Sequence, residues 1–428
     1  MPLANSRFTF HAAIAVFAAG LITASASAVT LTTLTSFDTT TASSPQANLL
    51  ADAAGNLYGT TRFGGINSLG TVFKVTAGTN ALTILAEFNG DFGAYPVSTL
   101  IADGTGNLYG TTRNGGSSDN GTVFKVATGT NALSVLAEFN VANGQHPLAG
   151  LIADADGNLY GTTQQGGPVS FGDTWGTVFK VAAGTNALTS PVQFDYFFNG
   201  AYPQAGLIAD ADGNLYGTTA AGYTGGPFVG PSWGTVFKLD PDTNTLTTLA
   251  EFGGASGYPA GSLTFDAAGN LYGTTLAGGA NGMGSVFKVA AGTNALTTLV
   301  DFDGANGTNP YADLIIDAAG NLYGTTYAGG LDNVGTVFKL DPDTNTLTTL
   351  VEFDVLFVNG FQPLGGLIAD AAGNLYGTTS GGGVTGQGTV FQLSGTGFAV
   401  PEPSTFVLGI GALAGMGFVT LRKKFRRA

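Results

Sequence analysis

The 428-residue chain has no cysteine, two histidines, two tryptophans and three methionines, and only 10% of it is charged. Without cysteine there are no disulfide staples, no thiolate metal ligands and no thiol redox chemistry. His11 lies in the N-terminal segment ahead of the repeats, which leaves His146 as the one histidine of the body. A histidine-based triad would have to rest on that residue alone. Positive charge is scarce too. Setting aside Arg7, Glu402 and the five basic residues of the tail, the totals of 28 acidic and 14 basic residues become 27 and 8 between residues 29 and 400. Such a surface repels phosphate backbones and anionic lipid, which disfavours nucleic-acid and membrane-surface partners. It also resists strongly anionic polysaccharides unless divalent cations bridge the two. No segment of the body shows a sustained helical period.

What is abundant is glycine, 68 residues of it, and a repeated heptapeptide. Gly-Asn-Leu-Tyr-Gly-Thr-Thr begins at Gly55, Gly106, Gly157, Gly213, Gly269, Gly320 and Gly373, with successive starts 51, 51, 56, 56, 51 and 53 residues apart. A period of that size marks a repeat architecture in which one structural unit is built seven times.

The second copy shows what one unit contains. The apolar run Leu100-Ile101-Ala102 ends at Asp103 and a Gly turn; Leu108 to Thr112 follows, then a loop over 113–120. Thr122-Val123-Phe124-Lys125-Val126 is a third run and residues 133–139 a fourth. Short runs rich in Val, Ile, Thr, Phe and Tyr, bounded by Gly and Asn, read as strands. Four strands in about fifty residues is the arithmetic of a propeller blade. Asp52-Ala53-Ala54-Gly55 suits a type I turn between the first two strands. Strands apolar on both sides suit blades covered by neighbours on both faces. The Gly within Leu-Tyr-Gly-Thr-Thr is expected to let adjacent backbones approach closely.

The ends of the array point to a closed ring. The last copy stops after Gly388-Thr389-Val390-Phe391-Gln392-Leu393 without a fourth strand. The missing piece stands at the start, where Leu31-Thr32-Thr33-Leu34-Thr35-Ser36-Phe37 matches Leu246-Thr247-Thr248-Leu249-Ala250-Glu251-Phe252. An open solenoid has no reason to move a strand from its end to its beginning; a closed ring removes its free edge that way. The expectation is an all-β, seven-bladed β-propeller over residues 29–397. The alternative is a β-helix or two smaller propellers.

Residues 1–28 have the layout of a secretory signal: Arg7, an apolar stretch over 12–22, and Ala26-Ser27-Ala28 as the cleavage site. The stretch is short for a retained anchor. Residues 398–428 combine Pro401-Glu402-Pro403, an apolar segment over 406–421 and the basic end Arg422-Lys423-Lys424-Phe425-Arg426-Arg427. That order resembles the PEP-CTERM sorting signal of exopolysaccharide-producing Gram-negative bacteria. The resemblance implies an exosortase-type sorting enzyme as partner and cleavage near Pro401, Glu402 and Pro403. It further implies transient anchoring in the inner membrane, then release or attachment at the cell surface; a plain C-terminal anchor is the alternative. The body also resembles a known family. Asn-Leu-Tyr-Gly-Thr-Thr, a Gly-Gly loop and Gly-Thr-Val-Phe-Lys are similar to the GloVer-type tandem repeats of "choice-of-anchor" proteins, defined by repeats and anchors rather than by a reaction.

Asp154-Ala155-Asp156-Gly157-Asn158 and Asp210-Ala211-Asp212-Gly213-Asn214 look like fragments of a calcium loop, but Leu-Tyr-Gly follows where further oxygen ligands are needed. Sibling copies lack the second Asp, so these read as hairpin turns and no metal ligand is named. Asp240-Pro241-Asp242 and Asp341-Pro342-Asp343 read the same way. His146 fills a slot held elsewhere by Tyr95, Tyr202, Tyr258, Asn309 or Gln362, as a loop residue would. Asp and Glu are plentiful enough for a propeller lyase or a paired-carboxylate glycosidase, yet no pair stands apart from the repeat.

The departures from repetition are more telling. The loop after Gly-Thr-Thr is eight residues in five copies, twelve in the third (164–175) and fourteen in the fourth (220–233). Trp175 and Trp233 end these loops, Phe171, Tyr223 and Phe228 lie inside them, and Tyr196, Phe197, Phe198 and Tyr202 fill the connection between the two blades. These aromatics are expected on one sector of one face. They suit stacking on sugar rings, or else they plug the space between longer loops. The expected function is a non-enzymatic, exported surface or matrix protein that binds exopolysaccharide or another glycan. An extracytoplasmic carbohydrate-active enzyme and a purely structural surface protein are the alternatives. No cofactor is expected.

Overall fold

The computed structural model describes residues 28–167, 174–222, 232–253, 257–355 and 358–401. Among them are only strands, turns and loops, and no helix long and apolar enough to cross a membrane. Seven antiparallel sheets follow one another, each built on four strands that run in sequence order in all but the last. The first blade is typical, with Leu50–Ala51, Leu57–Phe63, Thr71–Val75 and Leu82–Glu87; a short additional strand, Ser43–Pro45, also pairs with Leu57–Phe63. The last blade joins Ile368–Ala369, Leu375–Thr379 and Thr389–Ser394 to Thr30–Ser36, the N-terminal strand, in the register Thr30 to Ser394 and Ser36 to Thr389. The chain is a seven-bladed β-propeller closed by its own beginning.

The two central strands of each blade are largely buried, since each has a strand on either side and a blade on either face. Val72, Phe73, Val123, Phe124, Val178 and Phe179 are all fully buried. The Phe at the end of each fourth strand packs against the third-strand Phe of the next blade, edge-on at six junctions and tilted at Phe194 and Phe237: Phe88 on Phe124 with ring centroids 5.0 Å apart, Phe139 on Phe179 at 4.9 Å. Phe37 meets Phe73 at 4.9 Å, so the contact recurs where the ring closes. Edge-to-face pairs of this kind contribute roughly 0.5–1.5 kcal/mol beyond the area they bury. Each third strand meets its fourth with a register shift, between Val72 and Phe73 in the first blade, which adds to the twist a blade needs.

The central Gly of the repeat has a different cause from the one expected. A Cβ on Gly59 would lie 2.6 Å from Cζ of Phe73, and one on Gly161 2.6 Å from Cζ of Phe179. All seven copies repeat the relationship, ending with Gly377 and Phe391. The glycine admits a cross-strand phenyl ring, not a neighbouring backbone. The two threonines after it act separately. Thr60 donates to the carbonyl of Ser98 in the next blade at 3.2 Å, whereas Thr61 and Thr71 share a hydrogen bond of 2.8 Å within the blade.

First-to-second and third-to-fourth strand turns lie on one face of the ring, here the hairpin face; the remaining connections form the loop face. Both chain ends belong to the hairpin face. Val29 packs on the core of the sixth and seventh blades, and so does Val400. After the last strand, Phe398 packs on Tyr323 at 5.1 Å and the Ala399 carbonyl accepts from the Ala318 amide at 2.7 Å, so ordered packing reaches Val400.

Candidate functional site

On the hairpin face each repeat builds the same polar knot. In the first blade, Oδ1 of Asp52 accepts from the amides of Ala54 at 3.0 Å and Asn56 at 2.9 Å. Its Oδ2 accepts from the Asn56 side chain at 2.7 Å and the Tyr58 hydroxyl at 3.0 Å. Asn56 Oδ1 then accepts from Ala77 at 3.1 Å, which ties the two hairpins together, as it does in the second, third and fifth blades; Pro241 and Pro342 have no amide to donate in the fourth and sixth. Asp154 and Asp210, the leading residues of the calcium-like pentapeptides, accept the same donors, so their oxygens serve the turn. Burial opposes the charge on Asp52, but donors from Asn56, Tyr58 and Ala54 outweigh it and hold the carboxyl below its ordinary value. Burial, then the Asp52 carboxylate, push the Tyr58 phenol up to about 12.

The third-strand lysines belong to this knot. Lys74 lies over the Tyr58 ring at 5.6 Å from its centroid, and the other five lysines repeat the geometry. In the seventh blade Gln392 takes the place of lysine and donates to the Tyr376 hydroxyl at 3.0 Å. Asp240 and Asp341 cap their own turns, accepting from Asp242 and Asp343 at 2.9 Å.

On the loop face, His146 has φ of 53°, and Tyr95, Tyr202, Asn309 and Gln362 adopt the same left-handed conformation. The His146 amide donates to the Asn120 carbonyl at 2.9 Å and its carbonyl accepts from Gln164 at 3.1 Å. His146 thus serves the connection between blades through its backbone. The Glu that ends a fourth strand is also engaged locally. Glu87 accepts from the amide of Ile66, Glu138 from Ser117 and Glu352 from Leu331, each at 2.9 Å. Asp301, one methylene shorter in the same place, leaves Oδ1 buried without a partner among the described residues.

Of the aromatics singled out in the third and fourth blades, four are joined. Trp175 contacts Tyr196 at 5.3 Å and Tyr202 at 5.5 Å, and Tyr196 contacts Phe197 at 5.3 Å. Phe198 stands beside them with 67% of its surface exposed. Trp233 pairs instead with Tyr258 of the fifth blade at 4.7 Å. Both tryptophans are half-buried against core clusters, and both indole N–H groups are covered without a hydrogen-bond partner among the described residues. Phe171, Tyr223 and Phe228, like Glu402 and Pro403 of the tail, lie outside the described residues.

One polar group at the inner edge is not evident from the repeat pattern. Asn48, Thr99, Gly150, Gly206, Ser262, Asp313 and Gly366 hold one repeat position just before the inner strand. Asn48 Nδ2 donates to Asp313 Oδ2 at 2.8 Å, linking the first and sixth blades past Gly366 of the seventh. Asp313 also accepts the Ser262 amide, and Ser262 Oγ accepts from Gly206 at 2.9 Å. The available signal was variation from Gly to Asp at one position whose apolar neighbours barely change.

The Gloeobacter/Verrucomicrobia repeat matches residues 15–229, 106–264 and 224–406, so the chain belongs to that repeat family. No curated protein matches it. Its fold is similar to oligogalacturonate lyase from Vibrio parahaemolyticus, at 12% identity and TM-score 0.54 over 85% of this chain and 93% of that one. An oligogalacturonate lyase in complex with manganese gives 12% and 0.53 over 88% and 94%. A fungal alcohol oxidase of the AA5 family, in complex with copper, gives 15% and 0.54 over 85% and 75%. At such identities the likeness is one of fold alone.

Proposed function

We propose that this propeller is an exported, non-enzymatic protein that holds a glycan of the cell surface or matrix on its loop face. The observation that carries the reading is the joined cluster of Trp175, Tyr196, Phe197 and Tyr202 beside exposed Phe198. Aromatic faces bordered by amides and carboxylates suit sugar rings, which bury apolar faces while their edges stay hydrated. The ends of the propeller support the same reading. Both leave by the hairpin face, so a sorting segment beginning at Pro401 would turn the loop face away from the membrane. Exosortase processing near Pro401, and removal of residues 1–28, belong to this proposal.

The enzymatic alternative is no better supported. The repeated Asp of each first turn and Glu87, Glu138 and Glu352 are taken up in turns and loops. Asp313 faces Asn48 and the Ser262 amide rather than a second carboxylate.

The deciding experiment is incubation with the producing cell's own polysaccharide. Cosedimentation without new reducing ends is expected. New ends would replace this reading with the enzymatic one, and no association would leave a purely structural role. Intact mass is expected to begin at Val29 and to lack 422–427; a retained tail would demote it to an ordinary anchor.

A further inference from the structure

Eight basic residues lie between 29 and 400, and six are the lysines of the hairpin face. The other two, Arg62 and Arg113, hold one repeat position in neighbouring blades, directly after Gly-Thr-Thr on the loop face. The scaffold does not require a cation there: the other five copies carry Gln164, Ala220, Leu276, Tyr327 and Ser380.

Both arginines are half-buried, and Nε of each is covered without a hydrogen-bond partner among the described residues. Neither makes an ion pair among those residues, although the body has more than three carboxylates per cation. Arg62 reaches the second blade through rings, and Arg113 stands at the same blade junction through its backbone. The Arg62 guanidinium lies over Phe63 at 5.0 Å, and Phe63 meets Tyr95 of the second blade at 5.6 Å. The backbone carbonyl of Tyr95 accepts from the backbone amide of Arg113 at 3.2 Å, the junction bond that Gln164 makes to His146 one blade on, so the scaffold brings Arg113 beside Tyr95. Phe63 keeps 38% of its surface exposed.

We infer that Arg62, Phe63, Tyr95 and Arg113 form a binding site for a carboxylated saccharide, a uronic acid residue within a glycan chain. A guanidinium presents a planar fork that matches a carboxylate in two parallel hydrogen bonds, which an ammonium cannot do. Stacking on Phe63 holds that fork in place before a ligand arrives, so less freedom is lost on binding. The exposed phenyl ring beside it offers the apolar surface that a pyranose face covers. In a body that otherwise repels polyanions, the pair selects the position at which an acidic sugar docks. The site lies in the first and second blades and does not rest on the aromatic cluster of the third and fourth.

The test is titration of the purified protein with a tetramer of mannuronic acid, with mannotetraose as its neutral counterpart. The acidic tetramer is expected to bind about tenfold or more tightly than the neutral one, and salt should erode the difference. Arg62→Gln with Arg113→Gln is expected to abolish the preference at an unchanged melting temperature. Arg113→Lys, which keeps charge but loses the fork, should fall between. Equal binding of the two tetramers, no binding of the acidic one, or a preference that survives the double substitution would overturn the site. If the double variant does not fold, the salt series and Arg113→Lys decide: a preference indifferent to both overturns it. Loss of neutral-glycan binding alone would count against the aromatic cluster and leave this site standing.

Discussion

Thr378 of the seventh blade donates its hydroxyl to the carbonyl of Ala47 at 3.3 Å, across 331 positions of sequence. It is the same bond that Thr60 makes to Ser98 and Thr111 to Ala149 at ordinary blade junctions. The closing junction is therefore built like the others, and it depends on the N-terminal strand completing the seventh blade.

Deleting residues 31–37 should accordingly expose the edge of Thr389–Ser394, the strand that Thr30–Ser36 now covers. Aggregation or a much lower melting temperature is expected by size-exclusion chromatography and thermal scanning. A monomer that melts as before would contradict closure.

The Gly–Phe relationship gives a sharper test. Gly161→Ala would place Cβ 2.6 Å from the Phe179 ring, and overpacking of this kind costs about 1–3 kcal/mol. Gly104→Ala, with nothing within 4 Å, should stay within about 0.5 kcal/mol. Adding Phe179→Leu should recover part of the Gly161→Ala loss relative to the two single effects, because the residues share one contact. Additive losses would separate glycine from ring.

The polar knots set both ends of the pH profile. For Asp52, Asp266 and Asp370, burial opposes the charge but is outweighed by hydrogen bonds, so each titrates below its ordinary value of 3.8. Their contribution is complete above that value and is lost as pH falls through the lowered one. Burial, then the neighbouring Asp, push Tyr58, Tyr109 and Tyr376 from 10.0 up to about 12. That contribution is complete below pH 10 and is lost as pH rises toward about 12. Melting temperature should be flat from about pH 5 to pH 9 and fall on both sides. Phenolate absorbance from these tyrosines at pH 10 in the folded protein would contradict the knots.

Most of the fold was legible because each repeat states the same local chemistry seven times. The strand lent by Leu31 to Phe37 and the turn at Asp52 could be read from residue type and place alone. The partner of Gly59 could not, because Phe73 reaches it across strands and only the register brings them together. Nor could Asn48 and Asp313, which meet through closure of the ring. The aromatics of the third and fourth blades were legible as a departure, yet Trp233 turned to Tyr258 because the residue before Gly-Thr-Val-Phe faces the following blade.

His146 should prove dispensable. Its left-handed backbone suits asparagine, which Asn309 supplies in the equivalent connection. His146→Asn is expected to leave stability within about 0.5 kcal/mol and glycan binding unchanged across neutral pH. A lost activity or a shifted pH profile would give the imidazole a role that the repeat does not.

Trp175 and Trp233 separate a sugar platform from a structural plug. Each indole lies against a core cluster, so removing it should lower stability, by up to a few kcal/mol where the space cannot close. Their surroundings differ beyond that. Trp175 touches Tyr196 and Tyr202 beside exposed Phe198, whereas Trp233 has Tyr258 as its ring partner. If the cluster stacks on a glycan, Trp175→Ala should weaken binding about tenfold, the loss of one stacked ring. Trp233→Ala should lower the melting temperature with a smaller effect on binding. Phe in place of Trp175 should recover stability more fully than affinity, since a smaller ring fills the gap but covers less of a sugar. Equal losses of stability for both alanine variants, with glycan affinity intact, would make the two tryptophans plugs and move any glycan site elsewhere on the loop face.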